Sequence, residues 1–160
     1  MTVHPSVERV TRTLADLGAT DASSNVRTLP DAARTAVAAA EQLGVTVAQI
    51  ANSLVFSADG APVLVMASGG HRVDTAKVAA ILGAGKVERA APEFVREHTG
   101  FAIGGVAPVG HPAPLRTLVD VELEQYDEVW AAAGHPHTVF PTTYGELLSI
   151  TGGEPAEIGQ

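Results

Sequence analysis

The sequence predicts an α+β fold: a mixed, mostly antiparallel sheet, curled towards a barrel, with helices packed outside it. Three observations carry that expectation. Helical and strand-like stretches alternate irregularly, without the strand–helix–strand rhythm of a doubly wound parallel sheet. Asp59-Gly60 separates two apolar runs and a His-Pro turn at His135-Pro136 separates two more, so neighbouring strands are joined by tight turns. The first two runs are nearly continuous in apolar residues, as in strands covered on both faces.

Taken in order, Val7, Val10, Leu14 and Leu17 recur at helical spacing between Pro5 and Gly18, giving an amphipathic helix of about four turns. Residues 19–25 read as loop and Val26 to Leu29 as a short strand. Pro30 and Asp31 open a second, alanine-rich helix that runs through Leu43 and closes at Gly44. Thr46 with Gln49 makes a capping box for one more helical turn. Ser53–Phe56 and Pro62–Ala67 form the Asp-Gly hairpin, and Asp74 caps a helix from Thr75 to Leu82 that stops at Gly83. Lys86–Glu88 is a short strand, and Pro92 opens a brief helix to about His98. Thr117–Val121, Val129–Ala133 and Thr138–Pro141 complete the strands. Thr142 or Thr143 caps a last helix from Tyr144 to Ile150. The whole, residues 1–160, reads as one domain with its core over about 4–152 and an acidic, frayed tail over 153–160.

Composition narrows the chemistry. There is no cysteine, which removes disulfides, thiolate nucleophiles and Cys-ligated metals. No apolar run reaches the roughly 18 residues of a membrane span, and the start of the chain has no signal-peptide pattern. The expectation is a cytoplasmic protein with no membrane partner. Residues 1–116 carry ten Lys and Arg against ten Asp and Glu, whereas residues 117–160 carry eight carboxylates and no Lys or Arg. The whole net charge of −8 therefore sits in the last part of the chain. Such a surface is a poor non-specific partner for nucleic acid, and no DNA is expected. The neutral first part can still receive one anionic ligand.

The stretch from Phe101 to His111, Phe-Ala-Ile-Gly-Gly-Val-Ala-Pro-Val-Gly-His, interrupts apolar residues with three glycines and a proline. Gly104 and Gly105 allow positive φ and close approach of another molecule, and Pro108 stiffens the chain beside them. Adjacent bare N–H groups suit an oxyanion, a carbonyl or a phosphate. A plain connection between strands is the alternative.

The order of motifs is specific. Gln49-Ile-Ala-Asn-Ser-Leu-Val-Phe56 comes first, then Val73-Asp-Thr-Ala-Lys-Val-Ala-Ala-Ile-Leu-Gly83 leading into Lys86-Val-Glu88. Thr99-Gly100 precedes Gly104-Gly-Val-Ala-Pro-Val-Gly110, and Thr117–Asp120, Ala132-Ala-Gly134 and Gly145-Glu-Leu147 close the series. Over about residues 4–152 the chain resembles the YbaK/EbsC/ProX family, aminoacyl-tRNA deacylase domains related to the editing domain inserted in bacterial prolyl-tRNA synthetases.

The resemblance implies a barrel-like mixed sheet with outer helices. It also implies trans-editing: hydrolysis of the ester between a wrong amino acid and tRNA, by a small pocket that sieves what the synthetase admitted. Aminoacyl-tRNA, through its acceptor end, is the implied partner, together with an aminoacyl-tRNA synthetase. No cofactor is expected. Gly104 and Gly105 would cradle the oxyanion, and the substrate's own hydroxyls would help activate water, in keeping with the lack of a Ser-His-Asp or Cys-His set. Two departures stand out. The position of the family's usual lysine is held by Asn52, whose amide offers donors and an acceptor but no charge. Near Val139, many relatives carry Asp. Asn52 leaves three readings open: an active deacylase of altered specificity, a cation such as Arg72 supplying the charge, or a module that binds tRNA, a nucleotide or an amino acid without chemistry.

Around this loop, Asn52, Gly104, Gly105 and His137 are the expected catalytic positions. Ser53, Ser68, Gly69, His71, Arg72, Pro108, Gly110 and His135 are the expected substrate contacts. His137 is the favoured polar group because the resemblance puts the His135–His137 turn at the pocket mouth; a solvated turn histidine is the alternative. His111, His135 and His137 could also be imagined as metal ligands, but their spacing enforces no site, and none is expected. His4, His71 and His98 read as surface residues, with His71 also bordering the Ser68-Gly69-Gly70 loop where it could touch substrate. Lys77 is expected to pair with Asp74 or Asp120, and Arg9, Arg12 and Arg34 are candidates for a phosphate patch.

Overall fold

Side chains alternate strictly along two central strands, and that alternation divides the core. The structure, a computed structural model, describes residues 4–33 and 35–160. The central pair is β2 (Ile50–Ala58) and β3 (Ala61–Ser68), antiparallel and in register from Ala51 opposite Ser68 to Ala58 opposite Ala61. Asp59 (φ 51°) and Gly60 (φ 90°) both sit at positive φ, the two-residue turn whose twist suits a hairpin. Ala51, Val55, Leu64 and Met66 point to one face and Phe56, Val63, Val65 and Ala67 to the other. With a period of two, both faces must be covered, which explains the nearly continuous apolar runs.

The first face is covered by α1 (Pro5–Asp16), α2 (Thr20–Ser24), α5 (Pro92–Thr99) and α6 (Tyr144–Thr151), through residues such as Val10, Leu14, Ala22, Val95 and Leu147. The second face is covered at one end by α3 (Ala36–Leu43), whose Ala39 and Ala40 meet Ile50. At its other end lies α4 (Thr75–Leu82), whose Val78 meets Phe56 and Val65. The remaining strands are β1 (Arg27–Thr28), β4 (Val87–Arg89), β5 (Arg116–Asp120), β6 (Val129–Ala132), β7 (Thr138–Thr142) and β8 (Glu154–Ala156). The sheet runs β1-β7-β6-β2-β3-β5-β8, with β4 pairing β2 off this path. Antiparallel contacts (β1–β7, β2–β3, β2–β4, β6–β7) outnumber the parallel ones (β2–β6, β3–β5, β5–β8). The fold is the expected mixed α+β arrangement with helices outside the sheet.

Four local expectations are corrected. Residues 20–24 are a helical turn, not loop, held on α1 by the Ser23 hydroxyl donating to the Thr11 carbonyl. Leu17 lies at the C-cap of α1 and is 50% exposed, outside the stripe of Val7, Val10 and Leu14. The alanine-rich helix begins at Ala36, not at Pro30, because Thr35 is the N-cap whose hydroxyl accepts the Ala38 N–H. The last segment is not a frayed tail. β8 adds a parallel strand to β5, and Ile158 is fully buried between the sheet and α4.

Candidate active site

β2 is paired with β3 along one edge, but its other edge is shared. β6 takes Ile50 and Ala51, and β4 takes Phe56 to Ala58. Between them Asn52, Ser53 and Leu54 have no strand ladder on that side. The Ile50 carbonyl accepts from Gly69 N–H on the β3 side, and the Val55 carbonyl accepts from Ala90 N–H on the β4 side. Antiparallel alternation therefore turns the backbone N–H and C=O of Ser53 to the open edge. On the even-numbered face, α3 and α4 cover opposite ends, leaving Asn52 and Leu54 only partly buried between them.

A cavity of about 330 Å³ occupies this break. Its floor includes Asn52, Ser53 and Leu54, and one end is walled by Ala36, Ala39, Ile50, Trp130 and Val139. Arg89 stands at the other end, and Ile103 and Gly104 form part of its rim. The walls are mostly alanine and β-branched side chains, which leave room for a small ligand without offering it charge. Val139, 6% exposed, takes a place in the wall and makes it apolar. Among the described residues that line the cavity, Arg89 is the one with a charged side chain.

The glycine-rich stretch is a buried connection with one turn at the surface. Phe101, Val106, Ala107 and Val109 join the core, while Ile103 is 54% exposed. Gly105 N–H donates to the Ala102 carbonyl (3.0 Å) and Gly104 has φ 94°, so Ala102–Gly105 is a turn that requires glycine at its third position. This corrects the expectation of two free amides: Gly105 N–H is spent inside the turn. Gly104 lines the cavity, and its N–H has no hydrogen-bond partner among the described residues. Gly105 has a separate reason to be glycine. A Cβ there would come within 3.0 Å of His135 Cα and 3.1 Å of Pro136 Cδ.

That contact joins the loop to the His-Pro-His turn and to a second cavity of about 550 Å³. Gly105, His4, Arg96, His135 and His137 line it, and Ile103 borders both cavities. Three imidazoles form a row: His135 lies 4.9 Å from His4 and 5.4 Å from His137, ring centre to ring centre. His135 Nδ1 accepts the His137 N–H, and the His137 carbonyl accepts from Leu29. His4 also caps α1 by accepting the Ser6 N–H.

The other expected contacts lie elsewhere. Ser68, Gly69, His71, Arg72, Pro108 and Gly110 line neither cavity. Ser68 N–H donates to buried Asp120, which also accepts from Glu122 N–H and bonds His71 Nε2. Gly69 packs on Ala36 and Val47, and the His71 ring lies against Gly159. These residues lock β3 and β5 to the C-terminal segment. Arg72 supplies its carbonyl to Gln160 N–H. Pro108 is buried and Gly110 partly buried on the core side of the loop, where Gly110 meets Phe101 and Arg9. His111 is there too, with Nε2 2.8 Å from the Ala107 carbonyl, and burial pushes its pKa down, with Arg9 adding to the effect. Among the described residues no group of three or more His, Cys, Asp or Glu is arranged to hold a metal.

The expected basic partners are corrected as well. Lys77 Nζ donates to the Gly159 carbonyl, while Asp74 accepts the backbone N–H groups of Ala76 and Lys77. Arg9 lies over the Phe101 ring at 4.8 Å, and Arg12 pairs with Glu8. Each has a partner of its own, and Arg34 lies outside the described residues. Arg89 is the residue that sequence reasoning missed. Strand alternation puts it on the face of Val87, but no signal in the sequence separates it from a solvated arginine.

Comparison with known proteins gives this arrangement a family. The model of the aminoacyl-tRNA editing domain matches residues 30–150. Bacillus subtilis YwhH, an uncharacterized protein, is 34% identical over 114 residues, 71% of this chain and 72% of YwhH. Enterococcus faecalis EbsC, provisionally designated a Cys-tRNA(Pro)/Cys-tRNA(Cys) deacylase, is 30% identical over 120 residues, 74% of this chain and 73% of EbsC. Proline–tRNA ligases match as well, the chain spanning 21% of the length of the one from Nitratidesulfovibrio vulgaris (strain DP4). A crystal structure provisionally designated a trans-editing enzyme for prolyl-tRNA synthetase superposes with a TM-score of 0.91 at 42% identity, covering 99% of both chains. No helix among the described residues is long and apolar enough to cross a membrane. The chain belongs to the aminoacyl-tRNA editing domain family.

Proposed function

We propose that this protein is a trans-acting deacylase that hydrolyses the ester linking a wrong amino acid to the terminal ribose of tRNA. The observation that carries the proposal is Gly104, which lines a small apolar cavity with Asn52 and whose N–H has no hydrogen-bond partner among the described residues. Water oxygen bonds to the ester carbonyl carbon, and the negative charge that develops on the carbonyl oxygen is received by Gly104 N–H, with the Asn52 amide as a second donor. The bond from carbon to ribose oxygen then breaks, and that oxygen takes the proton the water gave up. The amino acid leaves as its carboxylate, with one proton released to solvent. Asn52 holds no titratable proton, and the family resemblance implies that a neighbouring ribose hydroxyl of the substrate helps to activate the water. The apolar end at Ile50, Trp130 and Val139 receives the amino-acid side chain, and size is the sieve.

Release of labelled amino acid from a panel of mischarged tRNAs tests this reading. Turnover on at least one member is expected, and no turnover on any at high enzyme concentration overturns it. Asn52→Lys is the companion: it raises hydrolysis if a point charge at this position speeds the reaction. A second reading, a binding module without chemistry, is favoured by one observation. The described cavity lining contains no carboxylate or histidine, and its single charge is Arg89. Tight, salt-dependent tRNA binding without hydrolysis would establish that reading.

A further inference from the structure

Resting on the deacylase reading, we infer that Arg89 is the phosphate-binding residue of the cavity, and that it fixes the direction in which the acceptor end enters. The cross-strand register places Arg89 opposite Phe56, on the same face of the sheet as Asn52 and Leu54. Directly opposed side chains lie about 5 Å apart and diagonal ones about 7–8 Å, so Arg89 is a near neighbour of Leu54. At about 3.4 Å per residue, the Asn52 backbone lies about 14 Å along β2 from Phe56, the residue opposite Arg89. Arg89 is exposed, lines the cavity, and enters no ion pair among the described residues. Its position is held from behind. Asp59 at the hairpin tip accepts the N–H groups of Gly85 and Lys86 at 2.9 and 2.8 Å, and those bonds keep its carboxyl below the usual aspartate range. The segment that delivers β4 is thereby clamped to the β2–β3 turn.

The ligand class is set by chemistry. An amino acid esterified to ribose has lost its carboxylate, and its α-amino group is cationic. A lone guanidinium has nothing to attract in that half of the substrate. The anion that arrives with it is the backbone phosphate, which a guanidinium fork can bind bidentately. Along β2 the order is then phosphate at Arg89, ester at Asn52 and Gly104, and side chain at Ile50 and Trp130. The Arg89 backbone stands about 14 Å along the strand from that of Asn52, a spacing that leaves room for a phosphate beyond the ester.

The experiment compares wild type, Arg89→Leu and Arg89→Lys on mischarged tRNA and on the same amino acid esterified to adenosine, which has no phosphate. Arg89→Leu is expected to lower kcat/KM on tRNA about 10-fold to 100-fold, the worth of one charge-assisted hydrogen-bonded contact. Its loss on aminoacyl-adenosine is expected to be at least tenfold smaller. The salt slope of tRNA binding falls by about one, and Arg89→Lys recovers part of the loss. Equal losses on the two substrates, or an unchanged salt slope, overturn the proposal. If wild type hydrolyses neither substrate, the deacylase reading has failed on its own. Arg89 is then judged by binding of the trinucleotide CCA, expected to weaken about tenfold in Arg89→Leu; unchanged affinity overturns the phosphate site.

Discussion

Replacing Gly104 by alanine tests whether the glycine turn is there for chemistry or only for connection. Gly104 has φ 94°, a region in which an L side chain is strained by roughly 1–2 kcal/mol. In a chain of this size each kcal/mol shifts the melting temperature by about 2–4 °C, so a drop of about 2–8 °C is expected from conformation alone. Gly83, the C-cap of α4, is the control. It has φ 68°, a Cβ there meets nothing within 4 Å, and it is absent from the cavity lining. Gly83→Ala therefore carries a similar strain without touching the site. If Gly104 N–H receives developing negative charge, tilting it away costs about 100-fold in kcat, the effect of losing one such donor. Deacylation rates for the two variants, measured well below both melting temperatures, decide the matter. Comparable losses of stability with a loss of rate only in Gly104→Ala support the account. Equal rates in the two variants refute it.

Asp120→Ala strands the buried Ser68 N–H, the Glu122 N–H and His71, and is expected to cost at least about 3 kcal/mol in urea unfolding; a loss under about 1 kcal/mol would mean the junction is replaceable. Ending the chain at Gly153 removes β8 and the buried Ile158 and Ala156, and is expected to cost about 3 kcal/mol or more, read as a lower melting temperature. For His111, burial lowers the folded-state pKa below the unfolded value near 6.5. The unfolded chain then binds the extra proton first, so this residue's contribution falls as pH drops below about 6.5, by at most about 1.4 kcal/mol per pH unit, and levels off below the folded pKa. His111→Gln should flatten that part of the stability–pH profile, and an unchanged slope would place its origin elsewhere.

The features legible in the sequence were local. The Asp59-Gly60 hairpin, Asp74 before α4, Thr143 before α6 and the glycine stops all come from residue chemistry within a few positions. Pro30-Asp31 misled because proline fits a first helical turn, yet Thr35 offers a hydroxyl with the right spacing to cap. The acidic tail misled because its charge hides Ile158, one apolar residue whose cover depends on tertiary pairing with β5. In the site, Asn52, Ser53 and Gly104 line one cavity, while Gly105 and His137 line the second. Ser68, Gly69 and His71 show the same pattern of small and polar residues but face Asp120 and α3, a distinction only the fold makes. Arg89 escaped notice because nothing in Lys-Val-Glu-Arg tells a solvated arginine from one that lines a cavity between two strands.

The most direct test of the central claim is multiple-turnover deacylation: purified protein, a mischarged tRNA in excess, and separate measurement of free amino acid and tRNA. The account predicts many equivalents of amino acid released per protein, with the tRNA left intact and able to be charged again. Release of no more than one equivalent, or cleavage of the RNA, would contradict it.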